Sequence, residues 1–175
     1  GEDSRRVLEL VKDFVEQQGA ICLSGNHEYM FLAWIDNPTE RYDHYRRNGG
    51  DTTINSLLGR PLTAPVDGVE DARLVQETCG DLVAFIRSLP FVYETEHYIF
   101  VHAGLDLTLP DWHETTDYQK VWIQSDRKDH CFRSYSRPLS LGSKDWNQKT
   151  LGDRRWEDWY GWWSCLWWRP PWHSL

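Results

Sequence analysis

The hydrophobic pattern near the start of the chain has the spacing of a helix. Apolar side chains recur three and four positions apart at Val7, Leu8, Val11, Phe14 and Val15. This spacing, with Glu2, Asp3 and Ser4 placed to cap the first turn, predicts a helix over residues 3–18 that ends at Gly19. The short apolar run at 20–23 then predicts a buried strand, followed by a polar loop at 24–28.

The middle of the chain alternates apolar periodic segments with breaks. The pattern predicts helical segments over residues 29–35 and 76–88, a polar and aromatic segment at 41–47, a helix start at 51–53 after Asn48-Gly49-Gly50, and a loop at 67–71. Pro90 follows the last of the helical segments and predicts its end. The segments between residues 29 and 58 together predict a helical cap.

Two β-rich runs follow, at residues 91–95 and 98–102, and Glu96-His97 separates them. Such spacing predicts a β-hairpin. A helix, a buried strand and a polar loop in sequence are typical of an α/β fold, in which sites form at strand ends. The sequence therefore predicts the α/β class.

Composition narrows the class of protein. The chain has 175 residues, 40% hydrophobic and 26% charged, and no apolar run near the roughly 20 residues of a membrane helix, so we expect no membrane span. A net charge of -8 argues against a nucleic-acid partner, because phosphate contacts need a basic face. The four cysteines form no Cys-x-x-Cys pair, which predicts a cytoplasmic protein without a disulfide framework.

The composition changes abruptly at Gln124. Residues 124–175 contain no Ala, Val, Ile or Met, and ten of the eleven Trp lie after residue 111. Residues 1–123 carry 10 basic against 21 acidic side chains, whereas 124–175 carry 9 against 6. We therefore expect two parts, 1–123 and 124–175, the second being an atypical Trp-rich segment that is an out-of-frame or replaced tail.

Three side chains stand where the predicted strands end. Asn26 and His27 follow the run at 20–23, and His102 ends the second β-rich run. An amide oxygen and a neutral imidazole nitrogen are both metal ligands, and a second His can transfer a proton to a leaving group. The residue types alone leave open a plainer interpretation, a helix-capping Asn and a buried structural His.

Two tetrapeptides carry a resemblance to a known family. Gly25-Asn26-His27-Glu28 and Val101-His102-Ala103-Gly104 resemble motifs of the calcineurin-like metallophosphoesterases, in the branch of serine/threonine phosphoprotein phosphatases and symmetrical diadenosine tetraphosphatases. Asn48-Gly49-Gly50 and Val121-Trp122-Ile123 add weaker similarity. The resemblance spans residues 1–123 and implies a fragment of a β-sandwich flanked by helices.

The resemblance also implies a mechanism. Asn26 and His102 match two ligands of one ion in a pair of divalent metal ions, with manganese expected and iron or zinc as alternatives. His27 matches the general acid, and a hydroxide activated by the two metals attacks phosphorus. The implied substrates are a phosphorylated protein or a dinucleoside polyphosphate, and the sequence does not choose between them.

The chain also departs from the family pattern. In the family the Asp-x-His and GDxxDRG signatures come before the position that Gly1 matches, and this chain lacks them there; no Gly-His pair supplies the last His ligand. Two neutral ligands without a carboxylate would hold an ion weakly, so we expect an incomplete and inactive phosphatase. Two alternatives of another class stay open, namely a catalytically dead binding protein and a membrane-surface module formed by the Trp-rich tail.

Overall fold

The computed structural model describes residues 1–96, 98–123, 133–136 and 147–149, the last two segments as backbone only. The described chain divides into two compact units. We call residues 1–22 and 27–89 the helical unit, and residues 23–26 and 90–123 with the strands at 133–136 and 147–149 the sheet unit. Each unit has its own set of secondary-structure elements.

Six helices make up the helical unit. They are α1 (Ser4–Gln18), α2 (Asn26–Asp36), α3 (Pro38–Arg47), α4 (Gly50–Leu57), α5 (Glu70–Thr78) and α6 (Gly80–Ser88). The predicted first helix is confirmed, and Gly19 ends it with a φ of 65°, a left-handed conformation that glycine adopts without strain. Pro38 begins α3, where its fixed φ suits the first helical turn.

Three predicted elements in this part of the chain are wrong in form. The run at 20–23 is largely buried, with Cys22 and Leu23 each 3% exposed, but it makes a single bridge at Ile21 rather than a strand. The predicted helix at 76–88 is two helices that meet at Cys79, whose φ of -129° is not helical. The predicted loop at 67–71 becomes helix from Glu70 onward, and the Asp67 carboxylate accepts from the N–H groups of Val69 and Glu70 at that point.

The core of the helical unit is built around Trp34. Trp34 and Ile54 are 0% exposed, and the Trp34 ring stacks on Tyr45 with ring centroids 5.5 Å apart. Burial raises the pKa of Tyr45 above its ordinary value, because the phenolate would lose its hydration. This aromatic cluster joins α2 to α3.

Side chains of α3 and α4 bind the backbone of the segment that connects α4 to α5. Asn55 Nδ2 donates to the carbonyls of Leu62 and Ala64 at 3.2 and 2.9 Å. The Tyr42 hydroxyl lies 3.3 Å from the Val66 carbonyl and donates to Asp51 at 2.9 Å. Desolvation and the Asp51 carboxylate raise the pKa of Tyr42 to about 12, so the hydroxyl keeps its proton at neutral pH.

The sheet unit contains one antiparallel sheet among the described residues. Its strands are β1 (Val92–Glu94), β2 (Tyr98–Val101), β3 (Arg133–Ser136) and β4 (Asn147–Lys149), hydrogen-bonded in that order. The predicted hairpin is confirmed, with Val92 opposite Val101. A single 3-10 turn (Trp112–Glu114) and α7 (Asp117–Trp122) complete the unit.

Alternation along β2 separates a core face from an outer face. Ile99 and Val101 are 0% exposed and form a small core with Leu105, against which Val92 and Trp112 pack. On the other face Tyr93 and Phe100 stack across the hairpin with ring centroids 6.1 Å apart. Val101, the last residue on the core face of β2, therefore comes directly before the loop that begins at His102.

The mixed content of helices and sheet confirms the α/β class at the coarse level. One small antiparallel sheet is present in the described part of the chain, and the β-sandwich stays a prediction. None of the helices described is both long and apolar enough to cross a membrane. The predicted division into parts 1–123 and 124–175 stays a prediction.

Candidate functional site

The sheet unit brings Asn26 and His102 together. The His102 Nε2 atom lies 3.2 Å from the Asn26 Oδ1 atom, although 76 residues separate them in the chain. Both residues are half-buried. These are the two residues that the sequence predicts as metal ligands.

Asn26 is held by the segment before it. Leu23 and Ser24 are buried, and the Ser24 N–H donates to the Pro90 carbonyl at 2.8 Å. This bond ties the segment to the residues that lead into β1. Helix α2 begins at Asn26 itself, so the backbone at this residue is fixed from both sides.

His102 is held at the end of β2. Val101, just before it, is completely buried, and the N–H groups of Ala103 and Gly104 just after it both point to the Lys120 carbonyl, at 2.9 and 3.4 Å. That carbonyl lies in the last turn of α7, where helix carbonyls have no partner within the helix. The loop after β2 is thus hydrogen-bonded to the last turn of α7.

Hydrogen bonds also hold the start of α7 in place. Thr116 and Gln119 form a reciprocal capping box, in which each side chain bonds the backbone N–H of the other. The buried Thr115 hydroxyl accepts from the Asp106 N–H at 3.1 Å. Hydrogen bonds from the Thr108 hydroxyl and backbone N–H hold the pKa of Asp106 below its ordinary value.

The spacing of the pair fits two chemical arrangements. It is the length of a hydrogen bond between the imidazole and the amide oxygen. Two neighbouring ligands at right angles on one ion, each bonded at roughly 2.1 Å, would also stand about 3.0 Å apart. The distance therefore does not distinguish a direct hydrogen bond from two ligands of one divalent ion.

The described residues do not provide a complete metal site. Among the residues that the structure describes, no group of three or more His, Cys, Asp or Glu side chains is placed to hold an ion. Asn26 and His102 are both neutral ligands, so they contribute no charge to offset that of a cation. The Asn26–His102 pair could therefore supply only two ligands to one ion.

His27, the predicted general acid, is the second residue of α2 and is exposed. The division into units falls between Asn26 and His27, so His27 belongs to the helical unit. Glu28, part of the same motif, lies in the first turn of α2, where the helix dipole favours a negative charge. The predicted role of His27 stays a prediction.

Sequence reasoning missed the residues that support the pair. Lys120 acts through its backbone carbonyl, which no sequence pattern identifies, and the Asp106–Gln119 contact joins residues 13 positions apart. One sequence pattern was informative, because Thr116 followed three positions later by Gln119 is the form of a capping box. That pattern would have predicted the start of α7.

A shallow groove lies elsewhere, in the helical unit. It has a volume of about 420 Å³ and is lined among others by Ile35, Pro38, Val69, Ala72 and Arg73. Arg73 is ion-paired with both Glu70 and Glu77, so its charge is satisfied within α5. None of the predicted site residues lines this groove.

Comparison of the chain with protein-family models, curated proteins and solved structures finds no match. The functional inference therefore depends on the geometry of the site itself. The predicted Trp-rich tail at 124–175, including its membrane-surface interpretation, lies outside the described residues apart from the backbone of β3 and β4.

Proposed function

We propose that this chain carries part of a metal-dependent phosphoester hydrolase of the serine/threonine protein phosphatase kind. The observation that carries the proposal is the 3.2 Å separation of His102 Nε2 and Asn26 Oδ1. Both residues come from the tetrapeptides that resemble the metallophosphoesterase motifs, and the fold brings them into contact from distant parts of the sequence. A chance resemblance gives no reason for that contact.

In this proposal each residue has a distinct task. Asn26 and His102 hold one divalent ion through the amide oxygen and the imidazole nitrogen. The metal ions, when bound, supply positive charge for the phosphoryl oxygens and activate water. His27 donates a proton to the leaving oxygen, a task for which an imidazole suits neutral pH.

The substrate class is proposed to be a phosphorylated protein, with a symmetrical dinucleoside tetraphosphate as the alternative. The acidic stretch at 67–71 would favour basic peptides if it borders the site, and two of its carboxylates already make hydrogen bonds within the helical unit. The Asp67 carboxylate accepts from the N–H groups of Val69 and Glu70, and Asp71 accepts from Arg60 at 2.7 Å. A cytoplasmic location stays a prediction, as do the metal identity and the partners.

A second candidate function is a metal-free binding protein related to the phosphatases. It is favoured by the lack of a three-residue metal-ligating group of His, Cys, Asp or Glu among the described residues. Under this alternative the Asn26–His102 contact is a structural hydrogen bond. The two candidates differ in whether the pair binds a cation.

The deciding experiment is manganese-dependent hydrolysis of an aryl phosphate by two proteins, this chain and the product of the full reading frame of its gene. We expect activity in the full product, loss of that activity in His27→Ala, and little or none in the 175-residue chain. His44→Ala, which removes another exposed imidazole of the helical unit, is the matched control and should retain activity.

The contrary outcomes are also informative. Activity in neither protein would favour the metal-free binding protein. Activity in the 175-residue chain that survives His102→Ala would mean that the metal site lies elsewhere. Equal loss in His27→Ala and His44→Ala would point to a folding defect rather than a lost proton donor.

A further inference from the structure

We infer that Asp106 and Gln119 form a positioning pair that holds His102 against Asn26. The part of this inference that concerns metal binding rests on the proposed function. The part that concerns the His102–Asn26 contact stands without it, because it describes the geometry of the sheet unit alone. Neither residue is a predicted ligand or acid.

A hydrogen bond joins Asp106 and Gln119 directly. Gln119 Nε2 donates to Asp106 Oδ2 at 2.9 Å, which joins the loop after β2 to the first part of α7. Only three residues separate His102 from Asp106, and two of them donate their N–H groups to the Lys120 carbonyl. The loop is therefore fastened to α7 at both of its ends, close to His102.

Both side chains also make further hydrogen bonds. The other oxygen of Asp106 accepts from the Thr108 N–H at 3.0 Å and from the Thr108 hydroxyl at 2.6 Å. The Gln119 amide oxygen accepts from the Thr116 N–H at 3.0 Å. Because each end is oriented by further bonds, the contact fixes a direction as well as a distance.

The Asp106–Gln119 hydrogen bond has a fixed direction, from the amide to the carboxylate. An amide donor faces a carboxylate acceptor, so a change at either residue alone removes the match. Asp106→Asn sets one amide N–H₂ group against another, and Gln119→Glu sets two carboxylates against each other. Combining the two changes restores a donor opposite an acceptor with the direction reversed, and it leaves the net charge of the chain unchanged.

The double variant preserves the neighbouring bonds as well. The amide introduced at position 106 would keep an oxygen for the Thr108 donors. The carboxylate introduced at position 119 would still complete a capping box with Thr116, since glutamate is the usual residue at the third position of such a box. The double variant, Asp106→Asn with Gln119→Glu, is therefore expected to restore the contact between positions 106 and 119 rather than to weaken it further. Glu114→Gln, which removes an exposed carboxylate from the adjacent 3-10 turn, is the matched control.

The experiment uses the 175-residue chain and two readouts. The first is Mn²⁺ affinity by titration calorimetry, with His102→Ala to assign binding to the pair. The second needs no metal and is the nuclear Overhauser contact between the His102 ring protons and the Asn26 side-chain amide protons. Thermal unfolding of each variant, followed by circular dichroism, reports whether the fold is retained.

We expect each single variant to weaken Mn²⁺ binding by about tenfold and to reduce the His102–Asn26 contact, and the double variant to restore both. The control variant should match the unmodified chain. Unchanged affinity and an unchanged contact in both single variants would overturn the inference while leaving the proposed function in place. A defect that persists in the double variant would also overturn it.

The two proposals fail in different ways. If the unmodified chain binds no Mn²⁺, the proposed function loses its support, and the inference is decided by the Overhauser contact alone. Loss of that contact in the single variants, with recovery in the double variant, would support the positioning pair even then. Its persistence in all variants would overturn the positioning pair.

Discussion

Trp34 donates its indole N–H to the carbonyl of Gly68 at 2.8 Å, from a side chain that is completely buried. The ring of Tyr42 packs against the other side of Gly68, where an added Cβ atom would lie 2.3 Å from the ring. The backbone between α4 and α5 thus contacts two aromatic side chains, and a Cβ atom at position 68 would force the Tyr42 ring or the backbone to move.

Gly68→Ala is expected to destabilise the helical unit by about 1 to 3 kcal/mol, because the methyl group must displace the Tyr42 ring or the backbone. Urea unfolding followed by Trp fluorescence measures the change. Gly80→Ala is the control, since a Cβ atom there meets nothing within 4 Å and the residue begins α6. Similar losses in the two variants would contradict the steric explanation.

Asp71→Asn is expected to cost about 2 kcal/mol of unfolding free energy. The Asp71 side chain is only 5% exposed and accepts from Arg60 at 2.7 Å and from the Asp67 N–H at 3.0 Å, so its replacement leaves a guanidinium charge without its counterion. The comparison is Asp36→Asn, which breaks the exposed pair with Arg87 and should cost less than about 1 kcal/mol. Chemical unfolding of both variants measures the two losses in unfolding free energy. Equal losses would contradict the argument from burial.

Asn26→Asp is expected to strengthen Mn²⁺ binding by about tenfold, because it replaces a neutral ligand with a charged one of the same shape. Calorimetric titration of the 175-residue chain measures it. Asn48→Asp adds the same charge at the exposed end of α3 and serves as the control. Equal strengthening by both variants would indicate a general effect of charge rather than a ligand at residue 26.

The lowered pKa of Asp106 predicts a pH-dependent contribution to stability. A carboxyl group whose pKa falls on folding stabilises the folded state above its ordinary value of about 3.9, and that stability is lost as the pH falls through the lower folded value. The difference in unfolding free energy between the unmodified chain and Asp106→Asn should therefore shrink between about pH 5 and pH 2. Urea unfolding at a series of pH values measures it, and a constant difference would contradict this.

Local patterns predicted some elements well. The spacing of apolar residues from Val7 to Val15, followed by Gly19, predicted α1 to within one residue, because helix period and helix end are both local properties. The β-hairpin was predicted for the same reason, since two adjacent β-rich runs have few other ways to pair. Burial of Cys22 and Leu23 followed from their apolar character.

The patterns failed where the outcome depends on distant partners. A strand exists only where another segment offers hydrogen bonds over several residues, and the run at 20–23 obtains a single bridge at Ile21. The break at Cys79 was missed because apolar periodicity continues across it, with Val75 and Val83 both buried. A helical pattern on both sides of a kink looks like one helix.

The sequence by itself determined which side chains can do chemistry, because Asn26, His27 and His102 are recognisable by residue type and by the motifs around them. Only the tertiary structure decided that Asn26 and His102 stand 3.2 Å apart, since that distance depends on the Ser24–Pro90 and Ala103–Lys120 backbone bonds. Backbone groups are the same at every position, so the sequence does not mark which of them pair. The packing of distant segments selects the pairs, and the geometry of the site follows from that selection.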